Sequence, residues 1–307
     1  MSLKILFLGT SGAIPTTKRS LPAIMLQREN EVLLFDCGEG VQRQMFQARR
    51  GFSKKMKVFI THLHGDHVLG LPGLMQTMAL LDRSKELEIY GPVGIKVLLE
   101  CIRETLQFGL TYPVRIHEIV DEGLVCSENE YTVEAKRSNH IDSSFAYAYV
   151  EQSRPGKFYP QKAKRLGVPK GPQWSELQKG QNITLPNRQT VKSEQVTGPR
   201  RSGRKIVYTG DTRPFNGLIE FATHADVLIH DATLDDELSE RAMEDGHSTP
   251  SQAALTARKA HVKQLVLTHI GARYSKPEIL LLQAKKTFRK TIIAEDFMNI
   301  DVPLIQR

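Results

Sequence analysis

Cysteine is scarce in this chain. Among 307 residues only Cys37, Cys101 and Cys126 occur, far apart and with no Cys-x-x-Cys pair. An odd number at such spacing supports neither a disulfide framework nor a thiolate metal site, and a reducing, cytoplasmic setting is expected. Long apolar runs are also missing. No stretch approaches the ~20 residues that span a bilayer, so no membrane partner is expected. The opening segment keeps its apolar core to residues 5–8, too short for a secretory signal, and reads as a first strand. The remaining composition, 40% hydrophobic and 25% charged, excludes global disorder.

Charge is distributed unevenly. The net value is +8, yet residues 151–205 carry thirteen basic side chains against three acidic ones, so the rest is close to neutral. A concentrated positive segment favours a polyanionic partner such as nucleic acid; a solvated basic loop is the plain alternative. Residues 151–180 contain four glycines, four prolines and the aromatics Phe158, Tyr159 and Trp174, with poor apolar periodicity. They read as an excursion from the main body without a core of its own. Elsewhere short apolar runs at 4–8, 32–36, 58–61, 88–90, 206–209, 227–229 and 265–268 alternate with helical patterns at 71–81, 94–106, 251–261 and 277–289. Alternation of this kind predicts an α/β protein. Ser248 or Thr249 is placed to cap the third helix, with Pro250 in its first turn.

The densest chemical signal is Phe59-Ile-Thr-His62-Leu-His64-Gly-Asp66-His67, directly after an apolar run. Imidazole and carboxylate are the ligands that zinc and similar cations prefer. Four such side chains within six residues repel or desolvate one another unless a cation is present. His62 and His64 share a side by their period of two, and Gly65 allows a reversal that turns Asp66 and His67 toward a neighbouring site. Three further apolar runs end beside Asp211, His230 and His269, and open α/β sheets collect ligand sites beyond the carboxyl ends of their strands. His140 and His247 add candidates from loops. His117, His224 and His261 have no such company and read as surface or core histidines.

These residues resemble the metallo-β-lactamase superfamily and, within it, the ribonuclease Z family of tRNA 3′-processing endonucleases. The resemblance rests on His-x-His-x-Asp-His at 62–67, Tyr208-Thr-Gly-Asp-Thr-Arg213, the opening Phe7-Leu-Gly-Thr-Ser-Gly-Ala-Ile-Pro15, His230-Asp-Ala-Thr233, His247-Ser-Thr249 and the basic insert. Two places depart from it. Asp231 stands where that family often has glutamate, and Pro15-Thr-Thr-Lys-Arg-Ser20 matches its Pro-x-Lys-x-Arg-Asn loop only in part.

The resemblance implies an αβ/βα sandwich over residues 1–307 as a single domain, interrupted by a protruding tRNA-binding arm at about 151–180. It implies two zinc ions, with manganese or iron compatible with the same ligands. One would be held by His62, His64 and His140, the other by Asp66, His67 and His269, with Asp211 between them. Asp66 would accept the proton of the attacking water. His247, oriented by Asp231, would protonate the leaving group. The activity implied is removal of the 3′ trailer of precursor tRNA, leaving a 3′-hydroxyl on the tRNA and a 5′-phosphate on the trailer, by a homodimer. Arg154, Lys157, Lys162, Lys164, Arg165 and Lys170 are the candidate phosphate contacts. Phe158, Tyr159 and Trp174 are open between stacking on bases and packing within the arm. The competing reading is a hydrolase of the same fold acting on small phosphodiesters or thioesters, which would share every metal ligand.

Overall fold

The computed structural model describes residues 2–304. Among the described residues two short strand pairs stand apart, and the other fourteen strands form two seven-stranded sheets. In chain order they are β1 (Leu3–Gly9), β2 (Ala23–Arg28), β3 (Glu31–Phe35), β4 (Lys55–Phe59), β5 (Leu87–Pro92), β6 (Val114–Ile119), β7 (Gly123–Ser127), β8 (Tyr131–Arg137), β9 (Phe145–Glu151), β10 (Lys205–Tyr208), β11 (Val227–Asp231), β12 (Leu265–Thr268), β13 (Thr291–Ile293) and β14 (Asn299–Asp301). The first sheet runs β14-β1-β2-β3-β4-β5-β6 and the second β13-β12-β11-β10-β9-β8-β7. β3 to β6 are mutually parallel, as are β10 to β13.

Alternation of side chains along each strand explains the layering. Leu3, Ile5 and Phe7 face one buried cluster, together with Phe35, Phe59, Tyr147, Tyr208 and Ile229 from both sheets. Leu6 and Leu8, with Val58 and Ile60, face another, shared with Leu71, Leu74, Met75 and Met78 of the helix Gly70–Leu80. On the far side of the second sheet, Leu228 and Leu267 pack on Ala253, Ala254 and Ala257 of the helix Pro250–Lys259. The result is the expected αβ/βα sandwich, with helices outside two facing sheets.

Some elements were not legible as apolar runs. β6 is half-exposed along most of its length, β7 likewise, and β8 alternates buried with half-buried residues. Strands at or next to a sheet margin, covered less fully than central ones, lack the continuous Val/Ile/Leu signal of a parallel strand buried on both faces. Of the two cap candidates, Thr249 is the one used. Its hydroxyl accepts the Gln252 amide, and the Gln252 side chain accepts the Thr249 amide at 2.9 Å.

The chain divides into two compact units, Met1–Val150 with Lys205–Leu304, and Glu151–Arg204. The excursion therefore extends to Arg204 instead of ending near 180, and it has a core of its own. Ala163, Val168, Leu177, Ile183, Leu185, Val191 and Val196 are buried there, with Phe158 and Trp174 packed against them at 5.3 Å between ring centroids. The two short helices Pro160–Arg165 and Pro172–Gln178 and the strand pair Ile183–Thr184 with Thr190–Val191 frame it. These apolar residues are spread over segments too short to show a period, which hid the core from the sequence. Phe158 and Trp174 are packing residues, and the Trp174 indole donates to the Val168 carbonyl at 3.2 Å.

Thr249→Ala removes the cap of the helix that follows His247. It is expected to lower stability by about 1 kcal/mol, read as a lower denaturation midpoint at unchanged slope.

Candidate metal centre

The histidine-rich segment follows β4 because the strand ends at Phe59 and the chain then turns through the short helix Gly65–Val68, with His64 as its N-cap residue. A helical turn, and not a left-handed glycine, separates His62 and His64 from Asp66 and His67. Asp211 lies just beyond β10, with Gly210 at φ +57° between them. A side chain at Gly210 would meet Thr61 within 2.8 Å. Asp231 ends β11, and His269 follows β12. Four carboxyl strand ends thus supply the site.

Two donor groups result: His62, His64 and His140, and Asp66, His67 and His269. Asp211 reaches both. His64 Nδ1 stands 3.3 Å from His140 Nε2. Asp211 Oδ2 lies 3.8 Å from His62 Nε2, 4.0 Å from His140 Nε2, and 3.3 Å from Nε2 of both His67 and His269. Asp66 Oδ2 is 3.4 Å from Nε2 of His67 and of His269. His62 and His67 are fully buried and Asp211 is 2% exposed.

The outer nitrogen of each of four imidazoles is fixed by a partner. The Thr61 hydroxyl gives its single proton to Asp36, at 3.0 Å, and so accepts from His62 Nδ1 at 3.0 Å. Thr233 gives its proton to Asp231 Oδ1 at 2.6 Å and accepts from His269 Nδ1 at 2.7 Å. His67 Nδ1 donates to Asp36 Oδ2 at 2.7 Å, and His140 Nδ1 donates to the Gly246 carbonyl at 2.9 Å. In the neutral rings every Nε2 is then a bare lone pair turned inward. His67 Nε2 and His269 Nε2 face one another at 3.3 Å, which neutral rings so arranged tolerate only with positive charge beside them. His62 Nε2 and Asp211 Oδ1 are buried with no hydrogen-bond partner.

The electrostatics carry the same message. Burial disfavours an imidazolium at His67, but Asp211 and Asp36 outweigh it and hold its pKa well above the ordinary value. Burial raises the Asp66 carboxyl, yet positive charge on the His269 and His67 side outweighs it and holds the carboxyl far below the usual range. His62, buried and next to His67, is held well below its ordinary value. A tetrahedral cation with ligands at 2.0–2.1 Å separates its donors by about 3.3 Å; the second group and the His64–His140 pair stand at 3.3–3.4 Å, and Asp211 is 3.8–4.0 Å from His62 and His140. The residues fit two cations.

Asp36, Thr61, Tyr208 and Thr233 were not singled out from the sequence. Asp36 accepts from Thr61 N at 2.7 Å, from His67, and from Tyr208 Oη at 2.8 Å. Its only sequence signal is a carboxylate immediately after an apolar run, in Phe35-Asp36-Cys37. His230 turns away from the cluster. Strand alternation sets it with Leu228 on the helix side, where Nδ1 bonds the Asp231 carbonyl at 2.9 Å. His117 stacks on Tyr90, and His224 and His261 are exposed.

His247 stands beside both groups, its ring 5.0 Å from His140 and 5.2 Å from His269. Its Nδ1 is committed to Asp231 Oδ2 at 2.9 Å, which leaves Nε2 for a substrate. Burial opposes an imidazolium at His247, but Asp231 outweighs it and pushes the pKa up to about 9. Asp231 is itself pinned by the Thr212, Thr233 and Ser248 amides at 3.2, 3.0 and 3.3 Å.

In the second compact unit Lys157, Lys162, Lys164, Arg165 and Lys170 are exposed. Arg154 is half-buried, in a β-bridge with Arg201. Exposed Arg188, Lys192 and Arg200 extend the basic surface beyond residue 180.

Sandwich and donor set together define the metallo-β-lactamase fold class. A model described as "Beta-lactamase superfamily domain" matches residues 170–270, and one described as "Anti-Pycsar protein Apyc1" matches residues 3–153. The Bacillus subtilis metallo-beta-lactamase fold protein YhfI, at 18% identity and a TM-score of 0.69 over 98% of each chain to within a percentage point, shares the fold. The ribonuclease Z of Archaeoglobus fulgidus is 48% identical over 98% of both chains, and that of Haloferax volcanii 46% identical over 99% of this chain and 96% of its own. The crystal structure of the short form of human tRNase Z superposes with a TM-score of 0.73 at 32% identity, covering 98% of this chain and 99% of that one. The chain belongs to the ribonuclease Z family, endoribonucleases of this fold.

Ligand binding to the folded state alone raises stability. Stoichiometric zinc is expected to raise the thermal midpoint of chelator-treated protein by several degrees, and Asp211→Ala to abolish most of that rise, both measured by scanning calorimetry.

Proposed function

We propose that the protein is a zinc-dependent endoribonuclease that removes the 3′ trailer from precursor tRNA. The observation that carries the reading is the pair of donor groups sharing buried Asp211, with the His247–Asp231 pair alongside. Its relatives are named ribonuclease Z, and the human structure is titled tRNase Z. His62, His64 and His140 would hold one ion, and Asp66, His67 and His269 the other. Two divalent cations supply, when bound, an acidified water at neutral pH and relief of phosphate repulsion.

The remaining steps belong to side chains. Asp66 Oδ2 accepts from the Ala13 amide at 3.0 Å and lies beside His67 and His269, so Oδ1 is the oxygen that takes the proton of the attacking water. Water attacks phosphorus, the P–O3′ bond breaks, and His247 Nε2 gives its proton to the departing O3′. The tRNA keeps a 3′-hydroxyl and the trailer a 5′-phosphate. Asp231 holds the His247 tautomer and favours its protonated form.

The exposed cations at Lys157, Lys162, Lys164, Arg165 and Lys170 suit contacts to tRNA phosphates, where charge gives affinity without base selectivity. Among the described residues no helix is long and apolar enough to cross a membrane. A homodimer and a cytoplasmic setting belong to the same proposal, on family grounds.

End-mapping of a labelled precursor tRNA incubated with the protein, with and without chelator, tests the reading. Products with 2′,3′-cyclic phosphate, or cleavage that survives chelation, would reject it. Asp66→Ala is expected to abolish turnover while tRNA binding stays measurable. His247→Ala is expected to cut kcat about 10²- to 10⁴-fold with a small change in KM. Replacing residues 151–204 by a short linker is expected to impair cleavage of precursor tRNA and spare hydrolysis of a small chromogenic phosphodiester. Equal loss of both in a folded protein would favour the small-substrate reading.

A further inference from the structure

The loop between residues 10 and 20 borders the second donor group. Ala13, at φ +58°, donates its amide to Asp66 Oδ2 at 3.0 Å. Ser11 and Gly12 pair with Ile270 and Gly271, next to His269, and the Ile270 amide donates to the Thr10 carbonyl at 2.9 Å. A side chain at Gly12 would come within 2.7 Å of His269 Nδ1. One loop therefore braces Asp66 and His269 together, and among the described residues no hydrogen bond links it to His62, His64 or His140.

A left-handed alanine is a strained residue that needs outside support. That support converges on Asp296, which lies in the segment between β13 and β14. Asp296 Oδ1 accepts from Thr10 Oγ1 at 2.8 Å. Oδ2 accepts from the Ser20 amide at 2.7 Å and from Gln44 Nε2 at 3.0 Å. Arg19 completes the clamp by donating to Thr10 Oγ1 and to the Ala294 carbonyl, both at 2.6 Å. The Ser20 carbonyl accepts from the Thr10 and Ser11 amides at 2.9 Å each. Both ends of the loop are thus tied to one carboxylate. Arg19, whose guanidinium is spent on this clamp, belongs to the loop's support.

We infer that Asp296 is a positioning residue for the Asp66/His67/His269 pocket: by closing the 10–20 loop it fixes the Ala13 amide on Asp66 and the backbone beside His269, and so sets the cation affinity of that pocket and not of its neighbour. The inference rests on the two-cation reading and deepens it.

Zinc titration of the full chain with a competing chelator, followed by histidine-selective ¹⁵N NMR, separates the two pockets through His67 and His269 against His62 and His140. Asp296→Ala is expected to weaken the first pair's response by about 10- to 100-fold in affinity and leave the second within twofold. Thr10→Val, isosteric and milder, is expected to shift the same pair in the same direction by less. Glu295→Ala, next door and exposed, is expected to change neither. Equal weakening of both pairs, or unchanged affinity in a wild-type protein that binds two ions, overturns the role of Asp296. Wild-type protein that binds no zinc overturns the two-cation reading beneath it.

Discussion

Four imidazoles point unshared electron pairs at a common buried space, and the whole arrangement depends on positive charge being there. The threonine hydroxyls at 61 and 233 enforce this by simple proton accounting. Each has one proton, each spends it on a carboxylate, and each then takes the imidazole's N–H. The inward nitrogens are left bare. Setting His67 Nε2 and His269 Nε2 3.3 Å apart in a buried space carries an energetic cost that positive charge offsets. The sandwich architecture serves that demand by delivering ligands from separate strand ends to one point.

Asp36 deserves a place beside the ligands. It sits on the first sheet, yet Tyr208 of the second sheet donates to it as readily as Thr61 and His67 of the first. The two sheets are therefore tied to each other by one buried carboxylate, next to the aromatic layer of Phe35, Phe59 and Tyr147. The rigidity of the ligand frame and the packing of the core are parts of one structure. Asp231 plays the corresponding part for His247 and His269, since it holds the first directly and the second through Thr233.

Much of this was legible in the sequence because the signals were local. His62, His64, Asp66 and His67 fall within six residues, and the parallel strands around them are continuous apolar runs. Asp211 and His269 stand out by ligand type and strand-end position, and His140 by ligand type in a loop. What escaped notice was non-local or weakly periodic. Asp36 and Thr233 look like ordinary turn residues until their partners arrive from distant segments. The half-exposed strands β6 to β8 carry too little hydrophobic contrast to stand out, and the core of Glu151–Arg204 is assembled from single residues in very short elements.

The way that unit joins the rest has its own consequence. Val150 of β9 and Lys205 of β10 are paired antiparallel neighbours, and the Glu151 amide bonds the Arg204 carbonyl at 2.9 Å just beyond them. The chain thus departs and comes home through a single closed rung of a ladder. Closure entropy grows only slowly with the length of what lies beyond such a rung. A junction of this kind lets the segment between its two strands change in length at little cost to the pairing of β9 with β10.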